Sequence, residues 1–302
     1  FNKLCIKYIK MGNYWSSPAT KNTYRIMSYN VEWGFLKLPD DITHDSGGNP
    51  IPHTEEAQRQ HLRLISKNIG LAQPHVCFLQ EMGSTEAVQF VADAILSMFN
   101  IKYNIYYSNG EECGYQGIGL LVHEDIAEKC EVTNIPNFKL NRALGITLNT
   151  GDKTYKLIGV HLKSLYDGNY TRDVGIQNAE IQSVLNWVGD CENVLFCGDF
   201  NNVPNSTPIK KVLAEKYTNI FDTEKYVENI TGSKATEFSK SKEHPSSIID
   251  YMFITNPDTL ISSHIINYSR VASEPKKYTF KLDYLLRKEN SDHLPILGVF
   301  SL

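Results

Sequence analysis

Polar groups of a particular kind recur at the ends of the apolar runs in this sequence. "TYRIMSYNVEW" carries Asn30 at its end with Glu32 just beyond, and "HVCFLQE" closes on Glu81. "TYKLIGVHLK" carries His161 and Lys163, and "NVLFCGD" runs straight into Asp199, Asn201 and Asn202. "IIDYMFIT" holds Asp250, and the last run, "LPILGVF", begins directly after Asp292 and His293. A polar residue bounds most strands, so each of these alone is ordinary surface chemistry. Their recurrence is what carries meaning. Carboxylates gathered at one rim repel one another and need a cation to relieve them. Oxygen donors suit a hard ion such as magnesium or calcium. No Cys or His cluster offers a zinc alternative.

The intervening sequence supplies the elements. The first strand is expected to end at Asn30, and residues 37–53, rich in Pro, Asp, Gly and His, form a loop. Thr54 reads as an N-cap with Ala57 three residues on, ahead of a helix over about residues 55–72 with Leu62, Ile65 and Ile69 on its apolar face. Ser84 caps a second helix. Between residues 101 and 163 the pattern is almost all strand, which suggests antiparallel pairing. A helix is expected over 172–189, a short one over 207–215, and strands over 193–198, 248–254, "SHIINYSRV" and the C-terminal run. Strand-rich halves with flanking helices imply two packed sheets with helices outside. Regular βα alternation and a G-x-G-x-x-G turn are both missing, which argues against a plain doubly wound sheet.

At 302 residues the chain can bury a large core, and 41% hydrophobic with 21% charged residues is ordinary globular usage. A formal net charge of -4 supplies no bulk basic field, so any nucleic-acid contact must rest on local patches. No apolar run is long enough to cross a membrane as a helix. The six cysteines include no CxxC pair, and Cys77 and Cys197 lie inside apolar runs. That usage points to an intracellular protein, cytoplasmic or nuclear, rather than a secreted disulfide scaffold. Residues 1–22 read as a flexible leader and 23–302 as a single catalytic domain. If translation began at Met11, Gly12 and Ser16 would meet a myristoylation signal and allow weak membrane association.

In these motifs the chain resembles the endonuclease/exonuclease/phosphatase superfamily, the fold of DNase I and the apurinic/apyrimidinic endonucleases. "SYNV", "LQE", "GVHLKS", "GDFNNVP", "IIDYMFI" and "SDHLPI" appear in the family's order over residues 24–300. The resemblance implies an α/β fold, a four-layer α/β/β/α sandwich of two packed mixed sheets flanked by helices. It implies a monomeric metal-dependent phosphodiesterase, most plausibly a nuclease, using Mg2+ or Mn2+. Glu81 becomes the main metal ligand, with Asn30 and Asp292 beside it. Asp199 orients and deprotonates the attacking water, and Asn201 donates to a phosphate oxygen or completes the hydrogen bonding. His293, paired with Asp250, stabilises the transition state, and His161 is a second phosphate donor or the leaving-group acid. Lys163 and Arg172 are expected at the substrate, Arg172 equally well as a brace for its loop.

"KLDYLL" also imitates the family's aspartate motif, but Asp283 leaves little chain for a return strand before Asp292, so Asp250 is preferred. "IKK" at 209–211 and the stretch 276–288, with Tyr278 and Phe280, are candidate basic contacts or simply solvated loops. His44, His53 and His61 are expected on the surface, His75 at a loop end, and Trp187 in packing. The superfamily also includes sphingomyelinases and inositol-phosphate phosphatases. These are the alternatives, followed by a binding protein that keeps the fold without turnover. The retained acids and imidazoles favour an enzyme.

Overall fold

The computed structural model describes residues 22–37, 54–108, 116–165, 169–215, 217–226, 248–266 and 293–302. The leader with Met11 and Gly12, His44, His53, Tyr278, Phe280, Asp283 and Asp292 lie outside the described residues.

The twelve strands are β1 (Thr23–Gly34), β2 (Val76–Met82), β3 (Tyr103–Tyr107), β4 (Gly117–His123), β5 (Cys130–Asn134), β6 (Ala143–Asn149), β7 (Thr154–His161), β8 (Val194–Asp199), β9 (Thr218–Asn219), β10 (Asp250–Ile254), β11 (Leu260–Ile265) and β12 (Ile296–Ser301). The helices are α1 (Glu55–Ala72), α2 (Thr85–Phe99), a single turn α3 (Glu124–Ala127), α4 (Tyr170–Val188) and α5 (Thr207–Ala214). One sheet has the order β11-β12-β1-β2-β4-β3 and the other β5-β6-β7-β8-β10-β9. Each is mixed: β1 runs parallel to β2, and β7 parallel to β8, while their other neighbours are antiparallel.

Alternation along the strands builds the layers. In β1, Tyr24 and Ile26 face the interior shared by the two sheets, whereas Met27, Tyr29 and Val31 pack with Leu62, Ile65 and Val91 of α1 and α2. In β8, Leu195 and Cys197 face the shared interior, whereas Val194 and Phe196 pack with Ile181 and Val184 of α4 and Ile209 of α5. Two sheets back to back with helices on both outer faces are the expected four-layer sandwich. Gly159 of β7 permits the sheets' approach, because a Cβ there would meet the Phe78 ring at 2.2 Å.

The caps follow the sequence. Thr54 accepts from the Ala57 amide and Ser84 from the Ala87 amide. Three boundaries differ from expectation. Helix α4 begins at Tyr170 rather than 172, because the Asn169 side chain accepts from the Arg172 amide and starts the turn earlier. Strand β1 continues past Asn30 to Gly34 through an irregularity in its pairing with β2. Strand β11 begins at Leu260, three residues before the expected start at Ser263, and pairs with β12 through Ile265.

Candidate active site

The central strands of both sheets deliver their last residues to one end of the sandwich. In the parallel pair β1–β2, Asn30 lies opposite Gln80, one residue before Glu81. In the parallel pair β7–β8, His161 lies opposite Asp199, and antiparallel β10 sets Asp250 opposite Asp199 from the other side. The C-terminal ends of parallel strands are where α/β proteins place their ligands.

Local backbone then aims the side chains. Glu81 has φ 64°, and the β2–β4 pairing shifts register between Leu79 and Met82. Glu32 and Trp33 follow at φ 46° and 58°, and Asn201 at 48°. Left-handed backbone at non-glycine residues is costly and concentrates where function over-determines it. At Gly198, φ 144° is joined by a closer constraint: a Cβ would lie 2.0 Å from the Val160 carbonyl oxygen of β7. The glycine is therefore required by the neighbouring strand, and it lets β8 lie against β7 where both deliver site residues.

The polar contacts converge. The Asn30 amide nitrogen donates to Glu81 Oε1 (3.1 Å) and to Asp199 Oδ2 (2.9 Å), and its Oδ1 accepts from the Glu32 amide (3.0 Å). Glu81 Oε2 accepts from the Trp33 amide (3.2 Å) and from Gln116 Nε2 (3.1 Å). His161 Nε2 stands 3.6 Å from Asp199 Oδ2 and 3.9 Å from Glu81 Oε1. His293 Nδ1 lies 2.8 Å from Asp250 Oδ2, while its Nε2 faces Asp199 Oδ2 at 3.9 Å. The Asn201 amide donates to Asp199 Oδ1 (2.7 Å), and its side chain donates to the Leu162 carbonyl (3.0 Å). Asn30, Glu81, His161, Asp199, Asn201, Asp250 and His293 thus share one site. Asn201 braces the Asp199 loop against the end of β7.

The group is deeply set: the Asp199 side chain is 2% exposed and His161 4%, against 16% for Glu81. Burial pushes the Glu81 carboxyl above its ordinary range. Burial, then the nearby Asp250 carboxylate, does the same to Asp199. Burial, then the charge of Arg142, holds His161 well below the ordinary imidazole value. The ligand atoms of Glu81, His161 and Asp199 all lie within 4.8 Å of one another, as do those of Asp199, Asp250 and His293. Buried acids that burial alone drives toward neutrality, with open oxygens facing one point, fit a hard divalent cation.

Lys163 follows His161 closely, and its charge acts on that imidazole, whereas Arg172 lies in the first turn of α4. The Lys163 amide donates to Glu180 Oε2 (3.0 Å), and its carbonyl accepts from Gln177 Nε2 (2.6 Å). Helix α4 thus grips both backbone polar groups of Lys163, two residues past His161. Arg172 pairs with buried Asp173 through Nε at 3.0 Å and through its terminal nitrogen at 2.9 Å. Gln177 also accepts from Asn202, whose carbonyl accepts from the Tyr251 hydroxyl (3.0 Å). Asn202 is therefore a buried tie from the turn after β8 to α4 and to β10.

His61 departs from its expected surface placement, because Nε2 meets the Val31 carbonyl at 2.7 Å and draws α1 onto β1. His75 ends its loop by accepting from the Arg25 amide, and Trp187 packs under the Lys156 ammonium. Gln116, Arg142, Gln177 and Glu180 complete the surroundings. Arg142 is buried beside His161, with Nε and one terminal nitrogen lacking a hydrogen-bond partner.

The family model described as "Endonuclease/Exonuclease/phosphatase family" matches residues 27–293. No curated protein sequence matches the chain. Among solved structures, the fold is similar to D. rerio TDP2 complexed with single strand DNA product, at TM-score 0.60 and 18% identity over 93% of this chain and 100% of that one. It is similar to a D. rerio TDP2 humanized by 14 mutations, at TM-score 0.61 and 17% identity over 93% and 100%. An endonuclease/exonuclease/phosphatase from Bacteroides vulgatus is similar at TM-score 0.63 and 15% identity, again over 93% and 100%.

Proposed function

We propose, from the premise that this chain belongs to the endonuclease/exonuclease/phosphatase family, that it hydrolyses phosphodiesters of nucleic acid by direct attack of water. The family is one of metal-dependent phosphoric ester hydrolases, and the chain carries that chemistry. The observation behind the reading is the convergence of Glu81, Asn30, Asp199, His161 and the His293–Asp250 pair on one point.

Glu81 is the principal anchor for Mg2+ or Mn2+, with Asn30 and Asp292 in support. A bound cation would supply charge neutralisation at a phosphate oxygen. Asn30 keeps the two carboxylates apart by giving each a hydrogen. Asp199 orients the water and takes its proton, with Oδ1 fixed by the Asn201 amide. Asp250 accepts from Nδ1 of His293, which fixes the tautomer and favours the imidazolium. That imidazolium stabilises charge as it develops on the phosphorus oxygens. His161, with Nε2 facing Asp199 and Glu81, is placed to donate an N–H to a phosphate oxygen or to act on the leaving group. Arg142 and Lys163 supply positive charge beside His161, and Arg172 is a further candidate contact for the substrate. The crystallisation of a TDP2 with single strand DNA product supports a nucleic-acid substrate.

The test is a panel of single-stranded DNA, duplex DNA, RNA, sphingomyelin and inositol phosphates, each with magnesium. Turnover of a nucleic acid above the others is expected. Preferential turnover of a lipid or an inositol phosphate would overturn the substrate assignment and leave the hydrolase chemistry standing.

A further inference from the structure

Gln116 stands immediately before β4, whose first residue, Gly117, pairs with Met82. The irregularity in the β2–β4 ladder falls between Leu79 and Met82, so Gln116 sits across from the stretch in which Glu81 turns out of the strand. Its amide nitrogen reaches Glu81 Oε2 at 3.1 Å.

The significance lies in which lone pairs of Glu81 remain. A carboxylate offers about four acceptor sites, two on each oxygen. Oε2 spends both, one on the Trp33 amide and one on Gln116. Oε1 spends one on Asn30. That leaves one direction on Oε1, the oxygen nearest His161. We propose that Gln116 is a positioning residue that makes Glu81 a one-oxygen ligand for a divalent cation. The proposal rests on the reading that Glu81 holds such a cation.

The consequence concerns which ion fits. Magnesium and manganese are small and suit one oxygen from each carboxylate, whereas calcium accepts two oxygens of one carboxylate in a looser shell. With Gln116 in place, two-oxygen binding costs a hydrogen bond. With it gone, Oε2 is free to join.

The experiment is direct titration of the metal-free full chain with Mn2+, followed by paramagnetic resonance of the unbound ion, and with Ca2+ by calorimetry. Wild type is compared with Gln116→Leu, and metal-free melting temperatures are recorded for both. Gln116→Leu is expected to bind Mn2+ about 10–100-fold more weakly, to lose much less affinity for Ca2+, and to melt with wild type when metal-free. Equal losses for the two ions, or unchanged Mn2+ affinity, would overturn the inference. Failure of the wild-type chain itself to bind Mn2+ would instead overturn the metal-site reading beneath it.

Discussion

At the residue scale, the proposed roles depend on pairs. His293 reaches the site with its other nitrogen tied to the Asp250 carboxylate at 2.8 Å. Asp250→Asn keeps the shape and removes the charge. Turnover is expected to fall by about 10²–10⁴-fold with the fold intact, checked by kcat at saturating magnesium beside circular dichroism. Wild-type kcat in that variant would detach Asp250 from the chemistry. The strand-end residues were legible because acids, amides and imidazoles recur at the ends of so many apolar runs, although each alone is ordinary. The strand pattern around Asp250 favoured it over Asp283, which lies outside the described residues, and Asp250 does meet His293. Gln116, Arg142 and Glu180 were not legible, since a glutamine before a strand, an arginine before a strand and a glutamate within a helix are unremarkable locally. Only the fold brings Gln116 to Glu81 or Glu180 to the Lys163 amide.

At the scale of elements, α4 is as much part of the site as the strands. From one face, Gln177 and Glu180 hold the peptide after β7, and Gln177 also holds Asn202 after β8. Glu180 is 1% exposed, and burial raises its carboxyl from 4.5 to about 7. A raised carboxyl gives its full contribution to stability below the unfolded value and loses it as pH climbs through the folded one. The wild-type chain is therefore expected to lose stability between pH 4.5 and about 7 through this group. Glu180→Gln should lose less over that window in denaturant titrations at its two ends. Parallel losses in the two proteins would assign the change to other groups. Helix starts at Thr54 and Ser84 were readable from single cap residues, because a cap is a local bond. The bulges at Glu81 and after Asn30 were not. Neither glutamate nor tryptophan, the residues left-handed at 32, 33 and 81, favours that backbone, and the contacts that hold Glu81 there are long-range.

At the scale of the whole molecule, two sheets meet so that β1 and β2 supply one half of the site and β7, β8 and β10 the other. That the strands formed two packed sheets followed from the missing βα alternation. Their order did not, because β12 closes back onto β1 across nearly the full chain length. In the proposed chemistry the sandwich holds together acids that a cation makes compatible. The most direct measurement is the rate of phosphodiester cleavage of single-stranded DNA by wild type and Asp199→Asn, in excess chelator and after adding back magnesium. The account predicts no cleavage in chelator, full recovery for wild type on add-back, and little recovery for Asp199→Asn with an unchanged melting temperature. Sustained cleavage in chelator, or a wild-type rate in Asp199→Asn, would contradict it.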